Sequence, residues 1–172
     1  MPVKREGLPH RVYPGLTADF TLLILGQLRG RNECKGGSLV TETFKKLNFK
    51  AQSPILVMEA PSSFAPQTAA MKKETEIHAA PKKGTRYSFV LVFAEMRAQV
   101  EEACRAVLKL LDGDAVCWFA CPKGTSKKLK SDLNRDLLAE ALSPFGIRPV
   151  RQIAIDDDWS ALRFRRTELV KP

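Results

Sequence analysis

Lys123, Thr125 and Ser126 stand in the tract CPKGTSKKLK, between an apolar run and a helix-forming stretch. An ammonium, two hydroxyls and backbone amides near a helix start suit a phosphate group. The tract lacks the P-loop pattern, and its plainer reading is a solvated basic loop. Lys127, Lys128 and Lys130 continue it, and Arg163 and Arg165 follow near the C-terminal end. These side chains are candidates for phosphate or nucleic-acid contacts. Arg163 and Arg165 alternate with Leu162 and Phe164, so they share one strand face. A charged sheet face gives the same pattern, and no exposed aromatics interleave with the arginines as in many nucleic-acid surfaces.

Asp156, Asp157 and Asp158 suit a hard cation. Turns also favour Asp, and no second ligand cluster accompanies them. The cysteines, Cys34, Cys104, Cys117 and Cys121, form no CxxC pair, and His10 and His78 stand alone. Zinc sites need clustered ligands at short spacings, so no metal is expected. Cys117 and Cys121 fall on one side of an apolar strand and read as buried thiols. Trp159 reads as a packing residue with its indole N–H bonded nearby. No Ser-His-Asp, Cys-His or paired-carboxylate arrangement stands out, so no catalytic residue is assigned.

The elements that position these residues alternate in type. Thr41 to Phe49 reads as a short amphipathic helix with Phe44 and Leu47 inward. Ile55 to Met58 is an apolar run of strand length, as in a parallel strand buried on both faces. Ser62 or Ser63 is expected to cap a helix over Phe64 to Met71, with Pro66 in its first turn. Thr75 to Ala79 is a weak strand, and Tyr87 to Ala94 is a strong one. Glu95 to Leu111 is the clearest helix. Met96, Val100, Ala103, Cys104, Val107, Leu108 and Leu111 form its stripe, and Gly113 is its stop. Ala115 to Ala120 is a third buried strand. Ser131 is expected to cap a helix whose inner face is Leu133, Leu137, Leu138, Ala141 and Leu142, ended by Pro144 and Gly146. Val150 to Ile155 and Trp159 to Arg165 form a hairpin across the aspartates. The fold class is therefore α/β, a mainly parallel sheet with flanking helices and a C-terminal antiparallel hairpin.

The 172-residue chain carries a formal net charge of +9, which favours acidic partners such as nucleic acid or phosphate ligands. No apolar run reaches the ~20 residues needed to span a bilayer. The nearest, Leu16 to Leu28, is broken by Asp19 and Gln27. A cytoplasmic protein with no membrane partner is expected. Residues 1–39 show no sustained period apart from a short helix at Ala18 to Leu28. Gly36-Gly37 can be encoded as a bacterial ribosome-binding core at a workable distance before a GTG start at Val40. Residues 1–39 are therefore expected to be an over-extended gene start or a flexible tail, and 40–172 a single α/β domain.

The order strand, helix, strand after a glycine, helix and closing hairpin resembles the second half of a class I methyltransferase, which implies a Rossmann-like fold. The tracts YSFVLVFA, LLDGDAVCWFACPKG and GIRPVRQIAIDDDWSALRFR also resemble an uncharacterised bacterial family, the domain of unknown function numbered three thousand and fifty-two. That resemblance covers about residues 53 to 166 and implies a bacterial source but no activity. One departure matters. Methyltransferases follow the first strand with a glycine-rich turn that lets the backbone approach the cofactor. Here Met58-Glu59-Ala60-Pro61-Ser62-Ser63-Phe64 has no glycine, and Pro61 removes an amide donor. The acidic residue expected to end a second strand has only Glu74 and Glu76 as candidates, and Glu59 sits too early. No cofactor is therefore expected.

In open α/β sheets, ligands sit beyond the carboxyl ends of the strands. Ser62, Ser63, Glu95, Lys123, Thr125 and Ser126 are the candidate ligand contacts there. The leading expectation is a non-catalytic methyltransferase-like domain that binds a small ligand or a protein. A methyltransferase with an unconventional cofactor loop and a basic nucleic-acid-binding module are the alternatives.

Overall fold

The computed structural model describes residues 40–170. The expected leader at 1–39, with its short helix, lies outside the described residues. Helix α1 spans Glu42–Lys46, capped by the Thr41 hydroxyl, which accepts from the Phe44 amide. Glu42 opens it and Lys45 and Lys46 close it, the order its dipole favours. Phe44 and Leu47 are fully buried, as their spacing predicts.

Strand β1 is Ile55–Met58. A 3₁₀ turn at Ser62–Phe64 then leads into helix α2, Ala65–Met71, with Pro66 in its first turn. Neither Ser62 nor Ser63 caps it. The Phe64 amide bonds the Pro61 carbonyl, so both serines lie inside the turn. The extended residue before the turn is Pro61, which has no acceptor side chain. Strand β2, Ile77–His78, and strand β3, Tyr87–Phe93, complete this half.

Helix α3 is Arg97–Leu108, shorter at both ends than its periodicity predicts. At the start, the Gln99 side chain reaches back to the Glu95 and Met96 amides, as in a capping box. At the end, strand β4, Leu111–Pro122, captures Leu111 by pairing it with Tyr87. Val100, Cys104 and Val107 are buried as expected, whereas Met96 is exposed and Leu111 is buried from the strand. Gly113 is therefore not the helix stop. It lies within β4 at φ +54°, where two steps from Tyr87 to Phe89 match five from Leu111 to Val116. The surplus bulges outward, and glycine allows the bulge.

Helix α4 is Arg135–Leu142, and Asn134 is its cap, accepting from the Asp136 and Leu137 amides. Ser131, the expected cap, bonds the Leu133 amide and the Glu95 carbonyl instead, which ties two loops together. Leu138, Ala141 and Leu142 face inward, but Leu137 is exposed and Leu133 packs from the preceding loop. A 3₁₀ turn at Ser143–Phe145 and Gly146 at φ +72° end the helix. Strands β5, Ile147–Ala154, and β6, Trp159–Arg166, form the expected hairpin.

The sheet order is β2-β1-β3-β4-β6-β5. The first four strands run parallel, and β6 joins β4 antiparallel, with β5 antiparallel at the edge. This is the α/β class that the sequence predicts. Each sheet face holds one core. Helices α3 and α4 cover one with Val90, Cys117, Phe119 and Leu162. Helices α1 and α2 cover the other with Val57, Phe89, Trp118 and Ala161. The Trp118 indole N–H donates to the Leu47 carbonyl at 2.8 Å, fixing the end of α1 to the sheet.

Val107 is fully buried, and Arg105, on the outer side of α3, is exposed and lies over the Phe145 ring. Val107→Asp is expected to lose at least ~3 kcal/mol of stability or to fail to fold, because it buries an unpaired carboxylate. Arg105→Asp is expected to lose about 1 kcal/mol, the worth of an exposed cation–π contact and ion pair. Urea unfolding of the two variants checks this, and equal stabilities would contradict the assigned faces.

Candidate functional site

Strand order reverses at β1, with β2 on one side and β3 on the other. In doubly wound sheets the ligand crevice opens at such a switch point, beyond the strand ends. Here β1 ends at Met58, and the next residue, Glu59, has φ +53°. Only glycine enters that left-handed region freely, so Glu59 takes the backbone conformation that a glycine turn would supply. It adds a Cβ and a carboxylate.

Beside Glu59 lies a crevice of about 300 Å³. Met58, Val92 and Phe93 give it an apolar floor, and Gln99, Glu102, Ala103 and Ala106 form its α3 wall. Two carboxylates, Glu59 and Glu102, line it with no lysine or arginine. Sequence reasoning missed Gln99, Glu102 and Ala106, and read Ala103 as part of the apolar stripe alone. The available signal was the ridge 99, 103, 106, which meets that stripe at Ala103 at helical spacing. Glu59 entered as a ribose acceptor placed too early, because a residue type does not announce a positive φ.

The predicted contacts lie apart from this crevice, and Lys123, Thr125 and Ser126 line clefts at the end of β4. Ser62 and Ser63 are exposed, and Ser63 donates weakly to Asp156 at 3.3 Å. The Glu95 amide and carbonyl are engaged by Gln99 and Ser131. Thr125 is exposed and joins Arg135, Gln152 and Ser160 around a wider cleft of about 490 Å³ at the β4 end. Lys123 donates its ammonium to the Asp156 carbonyl. Ser126 donates to Asp158 at 2.7 Å, and Lys128 pairs with the same carboxylate at 3.3 Å. Lys123, Ser126 and Lys128 of the basic loop thus pair with the aspartate turn. Asp156 itself accepts from the Asp158 and Trp159 amides, which makes it a turn residue. Among the described residues, no three His, Cys, Asp or Glu side chains converge as metal ligands, and no helix is long and apolar enough to cross a membrane.

Of the basic candidates, Arg165 holds Asp114 through two bonds, at 2.9 and 2.6 Å. Arg163 lies beside it with its Nε buried and no acceptor. Burial, then the neighbouring Arg165 and Arg151, push the Arg163 guanidinium below its ordinary value. The described thiols, Cys104, Cys117 and Cys121, are buried. Burial pushes Cys104 up to about 12 and raises Cys117 and Cys121 as well, although Ser160 bonds the Cys121 thiol.

No protein-family model matches the chain, and no curated protein matches it either. The resemblance to the domain-of-unknown-function family therefore has no family match behind it. Solved structures do match the fold. A SAM-dependent methyltransferase from Aquifex aeolicus aligns with a TM-score of 0.53 and 9% identity, over 74% of this chain and 91% of that one. The N-methyltransferase NodS from Bradyrhizobium japonicum WM9 aligns with a TM-score of 0.50 and 13% identity, over 72% and 92%.

Asp158 is held below the ordinary aspartate value by the Ser126 hydroxyl and then the Lys128 ammonium. That pairing stabilises the fold above the ordinary value and is lost as pH falls through the lowered one. Asp158→Asn is expected to melt lower than the wild type at neutral pH. The gap should narrow as pH falls from about 4 to about 2. Melting temperatures measured across that range check it, and parallel curves would contradict the pairing. What the comparisons add is the architecture: this chain has a class I methyltransferase-like, Rossmann-type fold.

Proposed function

We propose that this domain binds a small, positively charged ligand in the crevice between the end of β1 and helix α3, and that it does not catalyse a reaction there. The observation behind this reading is Glu59, a non-glycine residue at φ +53° beside the crevice. A left-handed conformation costs a non-glycine residue on the order of 1 kcal/mol and gathers at ligand sites. Here it brings a carboxylate to the crevice that Glu102 also lines, over an apolar floor. Two carboxylates lining one crevice offer a cationic group charged acceptors. The lining holds no hydroxyl, thiol, imidazole or amine, so the two carboxylates are its sole reactive groups.

A second reading, a methyltransferase that uses S-adenosylmethionine, draws on the fold likeness and on the position of the crevice. The sulfonium of that cofactor is itself a cation. The residues present do not fit the usual binding mode. The Glu59 side chain stands where the backbone would approach the ligand, and Pro61 supplies no amide. Strand β2 ends at His78 with Ala79 and Ala80 after it, so no carboxylate follows to accept ribose hydroxyls. Glu76 is bonded to His78 and Lys82.

Native mass spectrometry of freshly purified protein separates the readings. A retained small cation is expected in the wild type and its loss in Glu59→Gln/Glu102→Gln, both exposed positions whose change leaves the fold intact. Calorimetric titration with S-adenosylmethionine is expected to show no saturable heat near about 1 mM, where binding of about −4 kcal/mol begins to register. A micromolar dissociation constant would put the methyltransferase reading first. Retention of the same cation by the double variant would remove the crevice from the argument.

A further inference from the structure

The outer face of the hairpin carries arginines in register. Arg148 stands directly opposite Arg165, and Arg151 directly opposite Arg163. Like charges opposed across two strands destabilise a sheet, and this face carries two such pairs. Arg165 is offset by Asp114, and one bond from Arg148 goes to the Val170 carbonyl. Arg151 is exposed, and Arg163 keeps a buried Nε–H without an acceptor. A buried donor left unpaired is costly, and few native proteins leave one without a reason. Edge protection does not account for the pattern. It accounts for Arg148 and Arg151 on the edge strand β5 but not for Arg163 and Arg165, which lie on β6, between β5 and β4.

The lysine loop lies on the same side of the sheet. Leu129 packs against the core of this face, as do Ile153 and Ile155 of the hairpin. Its flanking residues Lys127 and Lys130 are exposed. Lys128 is paired with Asp158, so among the described residues of this face Lys127, Lys130, Arg151 and Arg163 are the cations with no carboxylate partner. Protein–protein interfaces concentrate aromatics and deplete lysine, and this strip adds exposed lysines to its arginines and has no aromatic between them. It matches a chain of phosphates, to which arginine makes paired bonds.

We propose that the β5–β6 face, with the Lys127–Lys130 loop, is a sequence-independent contact surface for the phosphate backbone of nucleic acid. It is separate from the β1–α3 crevice and does not depend on what the crevice binds. The test uses the full chain and a fluorescein-labelled single-stranded DNA of about 20 nucleotides, by fluorescence anisotropy between about 50 and about 200 mM salt. Four phosphate contacts predict a log–log slope of about −3 and an affinity loss of about fiftyfold over that range. Arg151→Gln, at an exposed position, is expected to reduce the slope by about 0.7, and Arg151→Gln/Arg163→Gln by about twice that. Lys72→Gln/Lys73→Gln, beyond the end of α2, is expected to leave it unchanged. Matching melting temperatures show that the variants are folded. Absence of binding at the lowest salt, an unchanged slope in Arg151→Gln, or equal competition by polyglutamate would each overturn the proposal.

Discussion

Strand β4 must bury both of its faces, and most of the architecture follows from that. From Ala115 to Pro122 every residue is buried. Cys117, Phe119 and Cys121 enter one core, and Val116, Trp118 and Ala120 enter the other. Buried backbone amides and carbonyls need partners, so a strand of this kind cannot lie at an edge. Strand β3 satisfies one side in parallel and β6 the other in antiparallel. The hairpin then moves the edge outward to β5, which carries Arg148, Pro149 and Arg151 and an irregularity between Pro149 and Arg151. A proline, a bulge and exposed charge are the usual ways to block pairing at an edge. The indole of Trp118 adds one more demand, since its N–H needs an acceptor when buried. The Leu47 carbonyl meets it.

The upper end of the sheet is closed by charge rather than by apolar packing. Lys123, Ser126 and Lys128 reach the turn at Asp156 to Asp158, through a carbonyl and a carboxylate. Each tract alone reads as a ligand site, one for phosphate and one for a cation. Together they form one structural clasp that joins the loop after β4 to the hairpin tip. The pairing occupies these groups, and among the described residues Glu59 and Glu102 by the switch point and Arg151 and Arg163 on the hairpin face lie outside the clasp.

The sequence makes the burial pattern plain and leaves the ends of elements obscure. Runs such as Ile55 to Met58 and Tyr87 to Phe93 read as strands because continuous apolarity has few other uses at that length. The inner face of α3 was legible at Val100, Cys104 and Val107 for the same reason. Its C-terminal end was not. Leu111 fits the helical stripe and the strand equally well, and the choice is made by Tyr87, a partner 24 positions earlier. Capping failed in the same way at Ser131. The serine and Asn134 are both good caps, and a long-range bond from Ser131 to the Glu95 carbonyl decides between them. The loop aspartates and lysines were visible as groups, but their mutual pairing depends on the hairpin folding back. The crevice was hidden because its defining feature is a dihedral angle at Glu59.

The charge distribution constrains what the crevice can select. The chain as a whole carries +9, yet the crevice is lined by carboxylates alone among charged groups. A cation approaching from a distance meets a repulsive field, weakened beyond a Debye length of about 8 Å at physiological salt. Long-range attraction cannot then supply the affinity, so contact terms must. Those on offer are two nearby carboxylates and the apolar floor of Met58, Val92 and Phe93. A bare metal ion would gain from the first and nothing from the second. A compact organic cation with an apolar body gains from both, since burying apolar area contributes about 25 cal/mol per Å². The same field acts in the opposite sense on the arginine face, where it would draw polyanions in and make their binding depend on salt. On the two proposals together, one surface would be read by short-range fit and the other by long-range charge.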